Sequence, residues 1–222
     1  WSIDPKEVEM LSEKGEHVSK LPGVHISEEI MITNEMEEAI KGKDFLVLAV
    51  PSIFTRSTAA KMKPYVVDGQ MIVDVAKGIE EDTLMTLSQQ ISQEIPQADV
   101  AVLSGPTHAE EVGRGIPTTV VVGAKNKETA EMLQDVFMNK VFRVYTSSDI
   151  VGIELGGALK NVIALAAGTV DGLGYGDNTK AALMTRGIAE LTRLGEALGG
   201  KPETFSGLTG VGDLIVTCTS VH

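Results

Sequence analysis

Asp44-Phe-Leu-Val-Leu-Ala-Val-Pro51-Ser52 is a run of apolar, strand-forming residues that stops at a proline. It lacks polar alternation, so it reads as a strand covered on both faces, as in the parallel sheet of an α/β protein. Similar runs follow at Gln70 to Ala76, Asp99 to Ser104, Thr118 to Val122 and Phe142 to Tyr145, and a shorter one precedes it at Ile30 to Thr33. Amphipathic stretches lie around them at Asp4 to Lys14, Glu35 to Lys41, Phe54 to Met62, Asp82 to Glu94 and Lys127 to Met138. The alternation predicts an open parallel sheet with helices packed on it.

From Ser148 the strand signal stops and helical patterns take over. Leu155, Leu159, Ile163 and Ala166 form one apolar stripe on a helix from Asp149 to Val170, and a second helix runs from Asn178 to Leu198, ending at Gly199-Gly200-Lys201-Pro202. The predicted division is a sheet domain over residues 1–147 and a helical domain over 148–222.

Composition narrows the function. With 222 residues and a formal net charge of -12, the chain is globular and a poor match for nucleic acid, whose phosphates draw on clustered Lys and Arg. A small anionic substrate needs only a few cations gathered locally. The single cysteine excludes an internal disulfide, and His17, His25, His108 and His222 are not set at metal-ligand spacings, so no metal is expected. No apolar run approaches the roughly 18 to 20 residues of a bilayer span, and Trp1-Ser2-Ile3-Asp4-Pro5 is unlike a signal peptide, so a cytoplasmic protein without membrane insertion is expected.

Several segments carry residues with chemistry. The strand ending at Pro51-Ser52 faces the side of an α/β sheet where ligands bind. Met71-Ile-Val-Asp-Val-Ala-Lys77-Gly78 puts a cation at another such end. Ser104-Gly105-Pro106-Thr107-His108-Ala109-Glu110 runs from strand into helix, where Thr107 and Glu110 match a capping box and free N–H groups favour an anion. In Gly156-Gly157-Ala158-Leu159-Lys160-Asn161-Val162-Ile163-Ala164 one lysine interrupts small and apolar residues. Gly156 and Ala164, one turn to either side, leave room for a ligand, and desolvation lowers a lysine pKa toward proton transfer; a structural lysine fits the same pattern. Gly207-Leu-Thr-Gly210-Val-Gly212-Asp213 places a carboxylate before an apolar helix, either as a cap or as an orienting group for a lysine or a substrate hydroxyl.

In this order and spacing, Val50-Pro51-Ser52, Ala76-Lys77-Gly78, Ser104 to Thr107, Gly156 to Asn161, Thr185-Arg186-Gly187 and Gly210-Val-Gly212-Asp213-Leu214 resemble the NAD(P)-dependent glycerol-3-phosphate dehydrogenases, the bacterial branch in particular. The resemblance implies an α/β fold, an incomplete Rossmann-like parallel sheet followed by an all-helical substrate domain, and hydride transfer between NAD(P)H and dihydroxyacetone phosphate for glycerophospholipid synthesis. By resemblance Lys160 is the catalytic acid/base with Asp213 beside it. Lys77, Gly105, Thr107 and Asn161 join them in binding a phosphorylated substrate, while Pro51, Lys77 and Ala109 line the site of NAD or NADP. A homodimer is expected.

The family's Gly-x-Gly-x-x-Gly loop does not precede Trp1, and its Ser-Arg-Asn triplet would begin where the chain stops at His222, so a fragment lacking both ends is expected. The glycines at 172–176 and 207–212 follow no strand and cannot substitute for that loop. Three alternatives stand beside this reading. They are a non-catalytic substrate-binding fragment, another dehydrogenase with a Rossmann sheet and helical domain, and a lyase forming a Schiff base on Lys160.

Overall fold

The computed structural model describes residues 1–220. His222, one of the histidines weighed above, lies outside the described residues. The chain opens with helix α1 (Pro5–Lys14), whose first turn is capped by the Asp4 side chain on Lys6 N–H at 3.0 Å, and whose end is turned by Gly15 at φ 65°. A hairpin of β1 (Glu16–His17) and β2 (Leu21–His25) follows, then α2 (Met36–Ile40). The hairpin is absent from the sequence-based expectation, and the strand expected at Ile30 to Thr33 does not form. Those residues run irregularly, with Ser2 N–H donating to Thr33 O at 3.1 Å and Ile30 N–H to Ser27 O at 3.0 Å in place of a ladder.

The remaining strands make one sheet. They are β3 (Phe45–Leu48), β4 (Met71–Asp74), β5 (Asp99–Ser104), β6 (Thr118–Gly123) and β7 (Phe142–Ser147), side by side in that order. Between them lie α3 (Thr55–Met62), reached through a short 3-10 turn at Ser52–Phe54, α4 (Leu87–Glu94), α5 (Ala109–Gly113) and α6 (Lys127–Phe137). Their apolar runs are buried as continuous strands should be: Ile72, Val73, Ala101, Val120, Val122 and Val144 are fully covered. Two clusters share the burial, one centred on Ile72, Ile91 and Ile95 and the other on Val73, Val120 and Leu133.

The sheet is parallel-rich as expected, with one departure: β5 and β6 are antiparallel while the other neighbouring pairs are parallel. The connection over residues 105–117 contains one helix, the five-residue α5 with about 7.5 Å of rise, which is too short to run back along six-residue strands of about 20 Å, so the chain returns antiparallel. The helix expected from Asp82 also starts later, at Leu87. The preceding segment folds back through an isolated bridge between Ile79 and Thr86, with Leu84 at φ 59°.

Past Ser147 the chain is helical: α7 (Ile150–Gly172), α8 (Gly176–Ala197), α9 (Pro202–Phe205), one π-helical turn (Leu208–Gly212) and α10 (Asp213–Thr219). Ile163, Ala167, Leu191, Leu214 and Cys218 form its core; of the expected stripe on α7, Ile163 belongs to it and Leu159 packs against it, while Ala167 is buried in place of Ala166. With 23 residues, α7 is long and apolar enough to cross a bilayer, contrary to the expectation from apolar runs. It carries Glu154 and Lys160, however, and half of its most apolar window is buried against the sheet and its neighbouring helices, which makes it the central helix of this region.

Candidate active site

The parallel strands β3, β4 and β5 end on the same side of the sheet, and α7 crosses near them. Lys77 follows β4, Gly105 follows β5, Lys160 projects from the third turn of α7, and Asp213 opens α10. These residues meet on one carboxylate. Asp213, 1% exposed, accepts from Lys77 Nζ at 2.5 Å on Oδ2 and from Lys160 Nζ on Oδ1. Lys160 also donates to Thr217 Oγ1 at 2.6 Å, and Lys77 donates to Gly105 O at 2.9 Å. Thr107 donates to that same carbonyl at 3.2 Å. The elements gathered here lie as far apart in sequence as positions 77 and 213.

Two buried charges, Asp213 and Lys160, and the partly buried Lys77 remain in place because each offsets the desolvation of another. Burial, with the nearby Lys160 charge adding to it, holds the Lys77 ammonium below the ordinary lysine range, while Asp213 opposes that shift. The three groups carry one surplus positive charge, which suits the site to an anion or to negative charge developing on an oxygen.

Glycine fixes this geometry at two positions, with no room to spare. A Cβ at Gly156 would stand 2.5 Å from Thr209 O, so the space expected there for a ligand is filled by the π-helical turn that carries Asp213 into place. A Cβ at Gly157 would stand 3.4 Å from Lys77 Cδ and 3.2 Å from Ser104 Oγ. α7 therefore lies directly on the strand ends.

Asp213 makes no helix-capping bond. Nor does the Thr107–Glu110 capping box form: His108 is the N-cap of α5 and its side chain makes no capping bond, and the Thr107 hydroxyl turns back to Gly105. Asn161 is exposed on α7, and Ala109 is exposed at the start of α5. Sequence reasoning missed Thr217, although its spacing of four from Asp213 places both on one face of α10.

Two cavities are lined by other residues. One, of about 700 Å³, opens at the end of β3 between Ala49-Val50-Pro51, Phe54, Ser57, Thr58 and Lys61 on one wall and Trp1 to Asp4, Glu7 and Lys20 on the other. Glu7 accepts from Lys20 at 2.7 Å and pairs with His17 at 2.9 Å, and its carboxyl is held down to about 2, chiefly by the Lys20 hydrogen bond. The other, about 370 Å³ between α8 and α10, is walled by Met184, Ile188, Val211, Leu214 and their neighbours, with no charged side chain among them.

The family model described as the NAD-dependent glycerol-3-phosphate dehydrogenase N-terminus matches residues 1–130, and the corresponding C-terminus model matches residues 149–222. A glycerol-3-phosphate dehydrogenase (NAD(P)+) of Agathobacter rectalis is 67% identical over 222 residues, covering 100% of this chain and 66% of that protein. The enzyme of the same name from Fusobacterium nucleatum is 58% identical, with 100% and 67% covered. The crystal structure of glycerol-3-phosphate dehydrogenase from Coxiella burnetii superposes with a TM-score of 0.95 at 34% identity, covering 100% of this chain and 68% of that one. The chain thus spans about two thirds of the length of these relatives. Matched along its length by both halves of the family, the chain belongs to the NAD-dependent glycerol-3-phosphate dehydrogenases.

Proposed function

We propose that the protein carrying this chain reduces dihydroxyacetone phosphate to sn-glycerol 3-phosphate with NADH or NADPH. The observation that carries the reading is the convergence of Lys77 and Lys160 on buried Asp213 at the strand ends. Residues 1–147 hold the cofactor and residues 148–222 supply the acid/base group. The cleft beside β3 fits a dinucleotide: Phe54 and the Val50-Pro51 backbone give apolar walls, and Lys20 and Lys61 stand at its rim for phosphate. When bound there, a reduced nicotinamide supplies the hydride that adds to C2 of the ketone.

Negative charge develops on the C2 oxygen as the hydride arrives. Lys160 neutralises it and donates the proton that completes the hydroxyl, so that hydride and proton together make the alcohol. Asp213 orients Lys160, and Thr217 fixes a second direction of its ammonium. Lys77, held by Gly105 O and Asp213, presents a second cation toward the phosphorylated substrate, with Gly105 and Thr107 lining the approach and Asn161 at the exposed edge. As part of the same proposal the enzyme is a cytoplasmic homodimer feeding glycerophospholipid synthesis, as the family resemblance suggests. The test is oxidation of NADH and NADPH by the full-length protein with dihydroxyacetone phosphate. Turnover with neither cofactor overturns the reading, and so does borohydride trapping of a substrate adduct on Lys160.

A further inference from the structure

Glu154 stands in the second turn of α7 and takes no part in the contacts around Asp213. Three residues ahead of Gly157, it shares the face that α7 turns toward the sheet. Its side chain crosses to α4, where the carboxylate accepts from Ser88 N–H at 2.8 Å and from the Ser88 hydroxyl at 2.6 Å. The first amides of a helix lack partners within it and lie at its positive end. Thr86 N–H, just ahead, is taken by Gln89 Oε1 at 3.0 Å, and Glu154 supplies the acceptor for Ser88 from 66 residues away. At 8% exposure, this carboxylate depends on those bonds.

The opposite neighbour is Asp74, the last residue of β4 and three before Lys77. It is 1% exposed, and its Oδ2 has no hydrogen-bond partner. Its carboxyl is pushed up to about 7, by burial first and by the Glu154 charge next. Burial raises the Glu154 carboxyl as well, and its hydrogen bonds with Ser88 oppose that shift.

We propose that Glu154 is a positioning residue for the reductase reaction, docking α7 onto the start of α4 and so setting where the Lys160 ammonium stands relative to Lys77. The inference rests on the function proposed above. Lys160 lies six residues further along the helix, about 9 Å of rise, and a rigid helix that slides on the sheet carries its lysine with it. The neighbouring contacts of α7 at Ile153 and Gly157 are apolar or steric surfaces that resist approach but not sliding. The bonds to Ser88 have direction. A misplacement of about 1 Å at a reacting group costs on the order of 10²-fold.

The test compares variants of the full-length protein in NADPH-dependent reduction of dihydroxyacetone phosphate, alongside cofactor Kd by fluorescence titration and thermal melting. Glu154→Ala is expected to lower kcat at least about tenfold, the order of a lost hydrogen bond to a charged group, with Kd for the cofactor unchanged. Glu154→Gln should recover most of that loss, because its amide oxygen still accepts from Ser88 N–H. A wild-type protein without turnover overturns both the activity and this inference. An active wild type with Glu154→Ala near its kcat, or with a lowered melting temperature as the only effect, overturns the inference alone. Should Glu154→Ala not fold, Ser88→Ala decides: a reduced kcat at unchanged Kd supports the docking role, and an unchanged kcat overturns it.

Discussion

Around Asp213 each charged side chain is held by partners from other elements, whereas the cleft beside β3 is shaped by a strand end and by side chains at its rim. Asp213 is 1% exposed and shares its two oxygens between Lys77 and Lys160. Across the cleft, Phe54 is 51% exposed and Lys20 is 73% exposed at its side chain. The first region has its geometry fixed before any ligand arrives, which is what charge stabilisation of a reacting oxygen requires. The second offers an apolar wall with cations at its rim, as the proposed cofactor site would need. Substitutions in the first region should therefore act on stability and turnover together, and those in the second on affinity and association.

The largest effect on stability is expected from Asp213→Ala. It leaves the buried Lys160 and the partly buried Lys77 ammonium groups near each other without a counter-charge, at a cost of about 3–5 kcal/mol in unfolding free energy. Denaturant midpoints of the variant and of Asp213→Ala/Lys77→Met check this, because removing one ammonium should return part of the loss. On turnover, Asp213→Asn should be milder than loss of Lys160, since it removes the orienting charge and leaves the proton donor.

Next in size is the pH dependence set by Asp74. Its folded pKa of about 7 lies above the ordinary 3.8, so the folded form binds the extra proton. That contribution to stability is full below the unfolded value and is lost as pH rises toward 7. Between pH 5 and 8 this amounts to about 2–3 kcal/mol, and Glu154, also raised by burial, acts in the same direction. Asp74→Asn should flatten the slope of unfolding free energy over that interval. An unchanged slope would place the titration on another group.

The smallest effect concerns the sheet edge. β3 stands at one end of the order β3-β4-β5-β6-β7 and exposes Val47 at 47%. This chain expressed alone should self-associate or aggregate through residues 44–50, and Val47→Lys should weaken the association by about 1 kcal/mol, the span of strand propensities. Sedimentation velocity showing a monomer at high concentration before the substitution would remove the basis for the comparison.

Legibility follows the same division. The strands at 71–74 and 99–104 announce themselves because burial on both faces demands an unbroken apolar run, whereas the run at 45–48, also expected to be covered on both faces, lies at the sheet edge with Val47 exposed. Glu16–His17 and Leu21–His25 do not, being short, polar and paired only with each other. Ile30 to Thr33 has the composition of a strand without a partner to pair with. Around the site, the lysines and Asp213 were legible through the motif pattern rather than through periodicity. Glu154 with Ser88, and the reversal of β6 against β5, depend on how distant segments dock, which one sequence does not display.

The central claim is that Lys160 donates the proton while Lys77 holds substrate, and the most direct measurement is kcat of Lys160→Met beside Lys77→Met in the full-length protein. Methionine keeps the packing of α7 against the π-helical turn and removes charge and proton. The expected result is a fall of at least about 10²-fold in kcat for Lys160→Met with cofactor Kd unchanged, and for Lys77→Met a rise in KM larger than its fall in kcat. A Lys160→Met enzyme within about fivefold of wild type, below the general-acid range, beside an inactive Lys77→Met enzyme would reverse the two roles.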